Sequence, residues 1–153
     1  MCAENSYPMP LEPHDLDDLR RRLTRVGEKV RNHTLMLLRE NSAETLSTIA
    51  YETAADKIYA IDSAVEEVLL STLASELAPA ISFALICEGI NDEEPLPFPS
   101  GCPLESCMAR LIIDPIDGTR PLMYNKRSGW WLAGLASNQG ERSEEHTSEL
   151  QSP

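Results

Sequence analysis

Residues 111–119 read Leu-Ile-Ile-Asp-Pro-Ile-Asp-Gly-Thr. The apolar residues Leu111 to Ile113 have the composition of a buried strand, and the run ends in two carboxylates, Asp114 and Asp117. Pro115 predicts a turn between them, and Gly118 with Thr119 predicts the opening of a helix. Acids at the end of a buried strand, followed by a helix N-terminus, suit a hard cation held against a phosphate. At this spacing Asp114, the Ile116 carbonyl and Asp117 are able to converge on one point.

Upstream, Ile81 to Cys87 is a second apolar run, ending in Glu88, and predicts another buried strand. Before it, Asp62 and Ser63 predict a helix start, with Ser63 and Glu66 at the spacing of a capping box. Val65, Val68, Leu69, Leu73 and Leu77 give that helix its apolar face, and Pro79 ends it. Earlier still, Leu16, Leu19, Leu23, Val26, Val30 and Leu37 recur at helical spacing, so a long helix is expected from Pro13–Asp15 to about Arg39. His33 falls on its apolar stripe and reads as a packed structural histidine. Arg20, Arg21 and Arg22 read as a solvated flank. Residues 41–60 are mixed, with alternating apolar residues near Ile58 to Ile61. Residues 91–107 read as a surface excursion rich in Pro, Glu and Gly. Trp130 to Ala136 predicts a third strand after a turn at Lys126 to Gly129. The expected order is helix, helix, strand, loop, strand, strand.

The Asp114–Thr119 motif resembles the signature of the inositol monophosphatase family, the magnesium-dependent sugar and inositol phosphatases. Glu88 matches the family's strand-end acid, and Asp62 with Val65 and Glu66 matches its Asp before a helix. The likeness runs from about Asp62 to Gly134. It implies an α/β fold, the layered α-β-α-β sandwich of that family, of which this chain holds the N-terminal half. It implies Mg2+ ligated by Glu88, Asp114, the Ile116 carbonyl and Asp117, with Asp62 on a weaker outer metal. It implies Glu88 and Thr119 as the catalytic pair that positions a water, and the Gly118 and Thr119 amides as the phosphate-binding groups. Asp62 also reads as an ordinary helix cap. The implied activity is hydrolysis of a sugar or inositol phosphate, and a homodimer is implied by the family alone. The alternatives are a fructose bisphosphate or phosphonucleotide phosphatase, or a catalytically dead homologue that binds a metal or an anion.

Three departures from the family pattern bear on this. Gly89 stands where a second Glu is usual, and Arg120-Pro121-Leu122 stands where Asn-Phe often follows. Both bear on the substrate. Arg120, Lys126 and Arg127 read either as a solvated loop or as contacts to a second anionic group. Finally, Trp130-Trp131 is followed by Leu132, and the later Trp-Asp that completes the family's metal site does not occur. The parent is therefore expected to be an enzyme and the chain as written to be inactive.

The 153 residues carry a formal net charge of -12, which argues against nucleic acid or an anionic membrane as partner. A small phosphorylated substrate is the expected partner. Residues 1–13, a polar arm with several prolines, lack the pattern of a signal peptide, so a cytoplasmic location is expected. Residues 14–141 are expected to form the family domain. Residues 142–153 have no apolar period and read as the in-frame translation of a sequencing adapter, so they are excluded from fold reasoning. No CxxC pair occurs among Cys2, Cys87, Cys102 and Cys107. Cys87 reads as a small core residue. Cys102 and Cys107 flank a loop where a local bridge is possible, though free thiols are expected in a reducing compartment.

Overall fold

The computed structural model describes residues 13–52, 57–90 and 94–138. The expected arm and the segment 142–153 lie outside them, Pro13 excepted.

A four-stranded sheet carries the site. Its strands are β3 (Phe83–Cys87), β4 (Leu96–Phe98), β5 (Ala109–Asp117) and β6 (Trp130–Ser137), in the order β4-β3-β5-β6. β3 and β5 run parallel, so Cys87 lies beside Ile113 and both strands deliver their ends to one edge. β4 and β6 flank them antiparallel. Two helices cover one face: α1 (Pro13–Glu40) and α3 (Ala60–Thr72). A short α2 (Ala43–Leu46) and an antiparallel hairpin, β1 (Ile49–Glu52) with β2 (Lys57–Tyr59), connect them. A single turn, α4 (Thr119–Met123), follows β5.

The core lies between the helices and the inner sheet face. Val26 and Val30 of α1 meet Val65 and Leu69 of α3 over Phe83, Leu85, Leu111 and Ile113, all buried. The last turn of the α3 rod widens into a π-helical segment, Leu73–Leu77, closed by the Ala78 amide donating to the Leu73 carbonyl at 3.0 Å. Leu73 and Leu77 stay buried through it, as the sequence period predicts. Arg22 ties α1 to this segment. It pairs with Asp18 at 2.6 Å and donates to the Glu76 carbonyl at 2.8 Å, placing a cation on unsatisfied oxygens near a helix C-terminus. So Arg22 docks a helix, whereas Arg20 and Arg21 are solvated.

Several expectations are corrected. Leu16 is exposed, because the core begins one turn later at Leu19. Residues 41–60, read as mixed, contain α2 and the hairpin. The surface excursion contains β4, an edge strand, where Pro97 removes no ladder bond that the sheet needs. α3 begins at Ala60, ahead of Asp62, and its start is held by Asp62 Oδ2 accepting the Tyr59 amide at 3.0 Å, not by Ser63 with Glu66. Pro115 makes no turn: β5 runs through it to Asp117.

The other sheet face is bare among the described residues. Ile86 and Ile112 are side by side on it, and Ile112 is 58% exposed.

Candidate active site

Asp114 and Asp117 are three residues apart, so in a regular strand their side chains would point to opposite faces. The structure solves this with an irregularity in β5. Asp114 pairs with Leu132 and Asp117 with Trp130, leaving Pro115 and Ile116 opposite Trp131 alone. One extra residue makes this a bulge, which re-aims the side chains beyond it. Pro115 suits that position because it has no N–H to leave unpaired. The Ile116 amide is taken by Asp114 Oδ1 at 3.1 Å. Both carboxylates then line one cavity, and Ile113 and Ile116 both stay in the core.

That cavity, about 380 Å³, sits at the shared end of β3 and β5 and against the start of α3. Asp62, Glu88, Asp114, Ile116, Asp117, Gly118 and Thr119 all line it, so the structure brings every sequence-nominated residue to one place. Each arrives on a different support. Glu88 follows β3, its amide donating to the Ile113 carbonyl at 3.4 Å. Asp62 rides on α3. The Thr119 hydroxyl lies 3.0 Å from Asp62 Oδ1 and 2.8 Å from the Ile116 carbonyl, and its one proton is shared between them. Thr119 thus joins α3 to the bulge, its hydroxyl directed to Asp62 and the Ile116 carbonyl. α4 is only five residues long, so its dipole adds little to anion binding.

The position after Glu88 shows why no second Glu stands there. Gly89 has φ +76°, and a Cβ on it would come 2.9 Å from Ile58 Cδ1. Gly118 is similar, with φ +86°, and there a Cβ would meet the Arg127 guanidinium at 2.9 Å. Arg127 therefore lies across the Asp-Gly-Thr turn. Arg120 lines both the acidic cavity and an adjoining hollow of about 360 Å³ with Pro121, Tyr124 and Lys126. Arg120, Lys126 and Arg127 make no ion pair among the described residues.

Sequence reasoning missed Glu66 as a site residue. It lines the cavity one turn after Asp62 on α3, and that i, i+4 spacing was the available signal.

Magnesium is implied by the sequence resemblance, and the donor set bears on it directly. Carboxylate and carbonyl oxygens are the ligands a hard divalent cation takes. Burial, and then the charges of Asp114, Glu66 and Glu88, push the Cys87 thiol up to about 12. Those carboxylates therefore set a negative field that a cation offsets. Among the described residues, however, no three acidic, histidine or cysteine side chains lie close enough together to hold a metal ion. Hydrogen bonds keep Asp114 on the Ile116 amide and Asp62 between Tyr59 and Thr119. The donor chemistry fits a hard cation, with the ligands gathered in one cavity but not drawn into a shell.

The solved structure of extragenic suppressor protein SuhB from Bartonella henselae has a similar fold, with a TM-score of 0.55 at 18% sequence identity. The match covers 78% of this chain and 41% of that one, so the chain spans less than half the length of its structural neighbour. The α/β architecture expected from the sequence is therefore similar to that of SuhB over this portion. No protein-family model and no curated protein matches the sequence. Among the described residues no helix is long and apolar enough to cross a membrane.

Proposed function

We propose that the parent protein is a magnesium-dependent phosphomonoesterase of the inositol monophosphatase family, acting on a sugar or polyol phosphate. One observation carries this reading: the bulge at Pro115–Ile116 turns Asp114 and Asp117 into the same cavity as Glu88, Asp62 and Thr119. The α/β fold shared with SuhB is compatible with it. Glu88, Asp114, Asp117 and the Ile116 carbonyl would hold the metal, with Asp62 and Glu66 on its outer side. A divalent cation bound there supplies a lowered pKa for a coordinated water and charge to offset the phosphate. The chain's own residues do the rest. Glu88, an exposed residue lining the cavity, accepts the water's proton. Thr119, held by Asp62, orients that water through its hydroxyl. The Gly118 and Thr119 amides meet a phosphate oxygen.

A doubly anionic substrate, such as a sugar bisphosphate or a phosphonucleotide, is the second reading. It is favoured by Arg127 across Gly118 and by Arg120 on the wall shared with the adjoining hollow.

Equilibrium binding of inorganic phosphate tests the primary reading. Phosphate is expected to bind this chain only with Mg2+ present, and not at all in Asp117→Asn. Binding that ignores Mg2+, or that survives the substitution, would sink it. Turnover by this chain alone is not expected, because no later Asp completes the ligand set.

A further inference from the structure

The loop between β4 and β5 carries two thiols that the proposed function does not use. Cys102 and Cys107 Sγ atoms are 3.8 Å apart, and both sulfurs approach the Pro103 carbonyl, at 3.6 and 3.7 Å. Cys107 is fully buried and Cys102 is half-buried. The loop is fixed on every side. Its Leu104–Ser106 turn is closed by the Ser106 amide on Pro103 at 2.9 Å. Asn138 Nδ2 donates to the Leu104 and Cys107 carbonyls at 3.0 and 2.9 Å, and Arg110 holds Asn138 Oδ1 at 2.8 Å. The Met108 and Ala109 amides both donate to the Ser82 carbonyl. The Cys102 amide donates to Pro99 at 3.1 Å.

We infer that Cys102 and Cys107 are a reversible disulfide site, oxidised by a low-molecular-weight disulfide such as oxidised glutathione. Closing the pair takes the sulfurs from 3.8 Å to the roughly 2.05 Å of a disulfide, a side-chain motion rather than a change of fold. Cys102, the accessible thiol, gives up its proton and attacks one sulfur of the small disulfide, and the departing thiolate takes up a proton to leave as a thiol. Cys107 then attacks Cys102 Sγ within the mixed disulfide, its proton passing to the second departing thiolate. Two protein thiols are oxidised and one small disulfide is reduced to two thiols. Cys107 is the resolving group, since burial keeps it from the external oxidant. In the reduced pair, burial and then its contact with Cys102 hold its thiol up at about 11. The hydrogen bonds pin the loop with the two sulfurs 3.8 Å apart, and β5 begins two residues beyond Cys107. Oxidation therefore tethers the strand that carries Asp114 and Asp117.

The test is intact-mass analysis and peptide mapping of the full 153-residue chain after exposure to oxidised glutathione. Loss of two hydrogens, a Cys102–Cys107 cross-linked peptide and recovery with dithiothreitol are expected. Cys107→Ser should accumulate a glutathione adduct on Cys102. Cys102→Ser should gain no adduct on Cys107. A lasting adduct on wild-type Cys102 with Cys107 still free to alkylate would overturn the assignment. So would a bridge to Cys2 or Cys87, or no reaction. The wild-type readout stands whether or not the serine variants fold.

Discussion

The two ends of β5 are built from the same strand to opposite purposes. At the N-terminal end the polar groups are paired: Asn138, Arg110 and Ser82 hold the backbone, and the thiols meet each other. Phe98 stacks on Phe83 beside it, ring centroids 4.8 Å apart. At the C-terminal end a bulge breaks the ladder and gathers carboxylates into an open cavity. The first end secures the strand, and the second uses that security to hold like charges in one place, which an unsupported loop would not do.

Breaking the closed end should cost the most stability. Phe98→Ala removes a buried ring and its stack, and is expected to cost about 3–5 kcal/mol in urea unfolding. A cost near zero would mean that β4 does not pin the sheet.

Gly27→Ala probes the back of the open end. A Cβ there would meet the Trp131 indole at 2.8 Å, and Trp131 is the residue opposite the bulge. The rigid ring has to shift, so a loss of roughly 1–3 kcal/mol is expected, again by unfolding. The same variant should weaken any cation binding, because the bulge loses its backing.

Asp62 separates structural from chemical duty. Asp62→Ala removes the acceptor for the Tyr59 amide and should cost about 1 kcal/mol, as loss of a helix cap does. Asp62→Asn keeps an oxygen acceptor and should cost less in thermal melts, while removing the charge. Equal melting losses in the two variants would show that the charge, not the cap, matters to folding.

The smallest effect at neutral pH concerns Cys87. Its thiol is raised from 9.0 to about 12, by burial first and then by Asp114, Glu66 and Glu88. The folded chain thus favours the protonated form. That stabilisation is whole below pH 9.0 and is lost as pH rises toward 12. Melting temperature should fall through this window, and fall less in Cys87→Ala.

The two central strands were legible because both are apolar runs stopped by an acid; their parallel pairing is seen only in the structure. The acids were legible by the same pattern, and the structure brings them to one cavity. The bulge was not legible, since Pro115 is equally at home in a turn and at a bulge. β4 was hidden by its proline, and the β1–β2 hairpin by its shortness. Glu66 was visible as part of a capping pattern and of the family match but not as a site residue, although its spacing from Asp62 places it on the same side of α3. Gly27 against Trp131 and Arg127 across Gly118 are contacts between distant segments, which no local pattern carries.

The measurement closest to the central claim is a calorimetric titration of Mg2+ into this chain and into the Asp114→Asn/Asp117→Asn variant. A single saturable site is expected, weakened in the variant by more than the roughly 10–100-fold that loss of an outer partner costs. Heats that never saturate, or the same isotherm for both proteins, would contradict the account.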